Sequence, residues 1–162
     1  MGSSNFVANE ARAPLVARMD ADDVCHPRRL ECELRALAAH PRAVLVGALF
    51  DVIDGAGRPM RAIDRHVLLG RPTPPIAHST ILYRKWAFDE AGGYAEGSDY
   101  FEDADLYRRI ARTGDILIIA EGLLSYRFAA TSARLVDDRA EVEEALNAMP
   151  AALGLREPRP EV

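Results

Sequence analysis

Three carboxylates crowd into four positions at Asp20-Ala21-Asp22-Asp23, directly after the apolar run Pro14–Met19. Hard oxygen ligands at that density suit Mg²⁺ or Mn²⁺, which one or two carboxylates commonly hold together with a substrate diphosphate. Acid-rich turns are also ordinary solvated surface or helix caps, so the four residues alone leave both readings open. The apolar run before them reads as a buried strand, which sets the acids at the edge of a sheet, where ligands of α/β folds gather. A second pair, Glu102-Asp103, precedes Leu106, Arg108 and Arg109. One of these acids could serve as a general base toward a hydroxyl, or simply cap the helix. His78 stands beside Ser79 and Thr80, in reach of either a structural hydrogen bond or a substrate contact. Trp86 and Phe88 read as core, with the option of stacking on a sugar face.

Regular elements must carry these groups. Pro27 followed by Leu30, Leu34, Leu37 and Ala38 has helical spacing and stops at His40-Pro41. Ala43–Ile53 is aliphatic and β-branched enough for a strand, ended by Asp54-Gly55-Ala56-Gly57. A further extended segment is expected from Met60 to Ile63, and a loop over the proline-rich Gly70–Pro75. His78–Tyr83 reads as a short strand, and Lys85–Ala91 as a short helix halted by Gly92-Gly93. Tyr100–Arg112 has acids at its start and arginines near its end, the polarity that a helix dipole favours. Ile116–Ala120 and Leu123–Phe128 read as two strands, and Val136–Met149 as a charged helix. Alternating strands and helices make the class α/β, with the sheet type left open.

The chain's 162 residues are 49% hydrophobic and 28% charged, the chemistry of one globular domain. A net charge of -5 gives no general footing for a polyanion, so nucleic acid is not an expected partner. Cys25 and Cys32 are too few and too isolated for a disulfide framework or a structural zinc site. No segment has the roughly 20 apolar residues of a membrane span, and no signal-peptide pattern opens the chain, so a cytoplasmic protein is expected. Met1-Gly2-Ser3-Ser4 reads as a cloning remnant, and residues 1–10 are expected to be disordered.

Together the motifs resemble the middle of family 2 glycosyltransferases of GT-A fold. Met19-Asp20-Ala21-Asp22-Asp23-Val24, Pro27, Arg28, Leu30, Glu31, His40-Pro41, Val44–Gly47, Asp54 and Gly57 carry the first part of the resemblance. Ile76-Ala77-His78-Ser79-Thr80, Tyr83-Arg84-Lys85, Ala91-Gly92-Gly93-Tyr94, Phe101-Glu102-Asp103-Ala104-Asp105-Leu106 and Tyr126-Arg127 carry the second. The likeness runs over residues 11–133, the expected catalytic-half domain, with 134–162 a C-terminal helix and Pro-rich tail. It implies a truncated GT-A-like mixed sheet flanked by helices. It also implies inverting transfer of a sugar from a nucleoside-diphosphate donor to a glycan, lipid or protein hydroxyl, assisted by Mn²⁺ or Mg²⁺. Asp20 and Asp22 match the metal- and donor-contacting acids, Asp22 being the better match for a direct ligand. Asp103 matches the general base. Glu102 joins the donor-binding set, and His78 would lie near the acceptor or the donor diphosphate.

Two departures qualify that picture. Such proteins normally open with a strand, a Pro-x-Tyr-Asn-like turn and βα units that hold the nucleobase and ribose, and the chain has no room for these before Val16. An incomplete donor pocket is therefore expected, together with self-association, or pairing with the missing half, through an exposed strand edge near Leu15–Met19. Many relatives carry a histidine where this sequence has Ala129, which predicts weakened metal affinity. The rival reading is a non-catalytic remnant or binding module that keeps the acceptor-side surface. A metal-dependent nucleotidyltransferase would share the strand-end acids but lean on a phosphate-gripping loop, and the sequence has no such loop.

Overall fold

The computed structural model describes residues 3–59, 76–95 and 102–127. In chain order these form α1 (Ser3–Glu10), β1 (Leu15–Ala17), β2 (Val24–Cys25), α2 (Arg29–Ala39), β3 (Ala43–Ile53), a 3₁₀ turn (His78–Thr80), β4 (Leu82–Arg84), α3 (Lys85–Glu90), α4 (Glu102–Ile110) and β5 (Asp115–Arg127). The sheet order is β1-β4-β3-β5-β2. β3 and β5 run parallel, while β1–β4, β4–β3 and β5–β2 are antiparallel. This is a mixed α/β sheet flanked by helices, consistent with a truncated GT-A-like domain.

β3 lies at the centre because Ala43–Leu49 is apolar on both faces and is buried on both. On one face Leu37 of α2 meets Val46 and Leu82. On the other, Leu45, Ile81 and Tyr83 pack against Phe88 of α3 and Leu106 and Ile110 of α4. Neighbouring residues point to opposite faces, as strand geometry requires. Burying each such aliphatic side chain contributes about 1.5–3 kcal/mol.

Several expectations change here. The N-terminal segment is ordered: α1 buries Ala8 against the same core as Val16, and the Asn5 side chain bonds both backbone groups of Tyr94 at 2.8 Å. The strands expected at Ile116–Ala120 and Leu123–Phe128 are one element, β5, whose pairing with β3 jumps from Ile119 opposite Ala48 to Gly122 opposite Leu49. A bulge at that jump keeps the strand continuous while shifting its register. His78–Thr80 is a 3₁₀ turn rather than strand, because the Thr80 amide and hydroxyl both bond back to Ala77 O at 2.8 Å. Trp86, expected in the core, is 50% exposed. Gly92 and Gly93 end α3 as expected, both at positive φ, 81° and 67°.

The largest correction concerns α2. Its buried stripe is Arg29, Glu33 and Leu37, whereas Leu30 and Leu34 are 48% and 46% exposed. An Arg–Glu pair occupies a face that spacing alone would give to leucine. The segments expected at Met60–Ile63, Gly70–Pro75 and 134–162 lie outside the described residues.

Candidate active site

β1 and β3 each run antiparallel to β4, and β5 runs parallel to β3, so the carboxyl ends of β1, β3 and β5 lie together. The acid loop, residues 18–23, leaves β1 at one edge of the sheet and reaches β2 at the other, crossing this end. Strand carboxyl ends are where open α/β sheets place their ligands. Three clamps fix the loop. At its start, the Arg18 amide extends the β1–β4 ladder to Ile81 O at 3.0 Å. The buried Arg29 then donates Nη2 to the Arg18 and Ile81 carbonyls at 2.9 and 3.2 Å, and Nε to Glu33 at 2.8 Å. At the far end, the Arg127 amide donates to Asp23 at 2.8 Å, while its side chain donates to the carbonyls of Asp22, Asp54 and Gly55.

Within the loop the three acids have separate fates. Asp20 accepts hydrogen bonds from Arg18 and from the Ser79 hydroxyl, the latter at 2.7 Å. Burial alone would raise its pKa, but Ser79 and Arg18 together outweigh burial and hold it below the usual carboxylate range. Asp23 is buried and turned toward Arg127, with its second oxygen unpaired. Asp22 keeps an exposed carboxylate. Among the described residues no three His, Cys, Asp or Glu side chains gather to hold a metal ion. The exposed Asp22 carboxylate suits a divalent cation when substrate phosphates complete the shell.

Asp103 is the second residue of α4, and its Oδ1 accepts the Ala104 amide at 2.8 Å. Burial raises its pKa, and the amides of its own helix start and the Arg18 charge oppose that shift. Glu102 lies within electrostatic reach of Tyr94. His78 Nε2 and the Tyr94 hydroxyl are 2.6 Å apart. Burial, then the Arg18 charge, lowers the His78 pKa to about 4 against the pull of Asp20, so the ring is neutral at neutral pH.

Arg18 ties these groups together, and the sequence reading passed over it. Its Nη1 bonds Asp20 and Ser79, and its charge acts on His78, Asp103, Tyr94 and Tyr126. Tyr126 also feels Asp20, Asp22 and Asp23. The acid loop, His78 and the start of α4 thus share one electrostatic neighbourhood, beside a cavity of about 260 Å³ lined by Arg18, Asp20, Tyr94 and α1 residues Val7 and Ala8. A lone arginine at a strand end has no local signature. Only its contact with Ser79, 61 residues away, reveals it.

Comparison with known proteins places the chain in a family. The profile of the family described as Glycosyl transferase family 2 matches residues 1–105. The chain belongs to that family. It is 35% identical over 106 residues to the amylovoran biosynthesis glycosyltransferase AmsE of Erwinia amylovora, covering 62% of this chain and 39% of the relative. It is 30% identical over 118 residues to the putative glycosyltransferase EpsE of Bacillus subtilis (strain 168), covering 69% and 42%. An uncharacterized glycosyltransferase of Haemophilus influenzae is 28% identical over 137 residues, covering 74% and 50%. The chain thus spans half or less of the length of these relatives. The matched region includes α1, within the residues 1–10 expected to be disordered, and also Met1-Gly2-Ser3-Ser4, read from the sequence as a cloning remnant. No described helix is long and apolar enough to cross a membrane.

Proposed function

We propose that this cleft transfers a sugar from a nucleoside-diphosphate donor to an acceptor hydroxyl on a glycan, lipid or protein, with inversion at the anomeric carbon. The observation that carries the reading is Arg18, whose guanidinium bonds Asp20 and Ser79 while its charge reaches Asp103. That supports one cleft with a donor-facing wall, Asp20, Asp22 and Glu102, and a base, Asp103. His78 borders it. A sugar hydroxyl is too weak an acid to attack unaided, so the acceptor oxygen forms its bond to the anomeric carbon as Asp103 takes its proton. The bond to the diphosphate breaks on the opposite face. Burial, which raises the Asp103 pKa, makes that carboxylate a better base than an ordinary aspartate.

Asp22 is the residue that would hold Mg²⁺ or Mn²⁺ jointly with the donor diphosphate. The ion, when bound, neutralises charge on the departing diphosphate. The chain's own residues do the rest: Arg18 adds positive charge, and Ser79 with Arg18 holds Asp20 in place. The non-catalytic reading keeps one observation in its favour, since the Asp103 carboxylate is already engaged by the Ala104 amide in the first turn of α4. Turnover decides between them. With the donor-binding half supplied and a panel of nucleoside-diphosphate sugars, the protein should release nucleoside diphosphate from at least one, slowly with water as acceptor and faster with a matched hydroxyl. Nucleotide binding without release from any donor would favour the binding module.

A further inference from the structure

Four aromatic rings run in series from the core to the cleft: Tyr83 on Phe88, Phe88 on Tyr94, and Tyr94 on His78, with centroids 5.0, 5.5 and 5.3 Å apart. Asn5 locks the Tyr94 backbone from α1. The outcome is a 2.6 Å contact between the Tyr94 hydroxyl and His78 Nε2, and one proton must occupy it.

We propose that Tyr94 is a positioning residue that sets the tautomer of His78, so that the imidazole carries its single proton on Nδ1 and offers the cleft a neutral N–H donor. Among the described residues the Tyr94 hydroxyl has no hydrogen-bond partner besides His78. Were Nε2 the donor, the phenol proton would have no acceptor among the described residues, in a side chain whose residue is only 6% exposed. Leaving a buried donor unpaired is costly. When the phenol donates instead, Nε2 is filled as an acceptor and the ring proton resides on Nδ1. Nδ1 has no bond to any described residue. Among the described residues it is also absent from the sealed, unpaired side-chain atoms, which include Asp23 Oδ2, Glu33 Oε2, Tyr107 OH and Arg109 Nη2. It therefore reaches solvent, where water or a substrate oxygen can accept from it. The buried surroundings and the nearby Arg18 keep the ring neutral, so the tautomer is the state present at neutral pH.

The use of that N–H, donation to an oxygen of the bound sugar donor or acceptor, rests on the transferase reading. The tautomer does not. Long-range ¹H–¹⁵N correlation spectra of the labelled protein at pH 7 separate the two tautomers, and His78→Gln assigns the His78 signals among the four histidines. The expected spectrum has a protonated, pyrrole-like Nδ1 and an unprotonated, pyridine-like Nε2. In Tyr94→Phe, which keeps the ring and the Asn5 backbone bonds, the two nitrogens should move toward an averaged mixture while the other histidines stay unchanged. A protonated Nε2 in the unaltered protein overturns the proposal without recourse to any variant, as does a Tyr94→Phe spectrum identical to the original. A protein with the expected tautomer but no sugar turnover would sink the transferase reading and leave the Tyr94 assignment standing.

Discussion

The acid loop and the start of α4 both bring carboxylates into the field of Arg18, yet they hold them by different means. The loop, residues 18–23, has almost no regular structure, and its shape is set by partners far along the chain: Arg29, Ser79 and Arg127. Asp103 needs no distant hydrogen bond, because a helix start aims its carboxylate and the Ala104 amide fixes it. One wall is a network that fails as a unit, and the other is a local motif that tolerates change. For sugar transfer this division is useful. A donor-facing wall must stay rigid to position a leaving group, while a base must only remain ionised and within reach of the acceptor.

The contrast is broken most directly at Arg29. Arg29→Met leaves Glu33, whose second oxygen is already unpaired, as an isolated buried acid. Removing one partner of a buried ion pair costs about 3–5 kcal/mol, to be read from urea unfolding. Asp103→Asn keeps a side-chain oxygen for the Ala104 amide and removes a charge that burial disfavours, so it should cost less than about 1 kcal/mol. Equal losses from the two variants would erase the distinction between the walls.

The next effect is a pH dependence. His78 titrates at 6.5 when unfolded and at about 4 when folded. Between those values the unfolded chain binds the extra proton, so stability is complete above pH 6.5 and falls as pH drops toward 4. The loss is about 1.4 kcal/mol per pH unit, roughly 3 kcal/mol across the window. Buried Glu33 and Asp103, whose pKa values are raised, act in the opposite direction, so the signal is the difference between the original protein and His78→Gln. Parallel stability curves for the two would contradict the burial of His78.

The smallest effect sharpens the picture of the loop. Arg127→Met removes the side-chain bonds to Asp22, Asp54 and Gly55 but leaves the backbone bond to Asp23. Bonds of this kind contribute about 0.5–1.5 kcal/mol each net of their exchange with water, and the low end applies where they are partly exposed. Amide exchange over residues 21–24 should speed up by about tenfold while α4 is unchanged. Faster exchange in both regions would mean that the walls are coupled.

This division also governed what the sequence made legible. Local signals survived: the acidic start and basic end of α4, the Gly92-Gly93 stop, the aliphatic run of β3, and the acids after β1. Readings that depended on long-range packing did not. Helical spacing assigned Leu30 and Leu34 to the inner face of α2, but the inner face is where Arg29 meets the carbonyls of Arg18 and Ile81, and no periodicity encodes that need. Arg18 was overlooked for the same reason. The three acids of the loop read as one cluster, yet backbone direction sends Asp23 inward, ties Asp20 to Arg18 and leaves Asp22 the most open to solvent. Spacing shows which groups can meet within an element, not which way a loop turns them.

The central claim, that Asp103 works as the base of a sugar-transferring cleft, is tested most directly by donor turnover in Asp103→Asn. Nucleoside-diphosphate release from the best donor should fall at least about a hundredfold, with nucleotide affinity changed by no more than about twofold, the pattern of a group acting in the transition state. The unaltered protein should lose turnover as pH falls through a value above the ordinary aspartate range, because burial raises the pKa of the base. Undiminished release by Asp103→Asn, or a loss of release matched by an equal loss of nucleotide affinity, would contradict the claim and leave Asp103 as a structural residue of the first turn of α4.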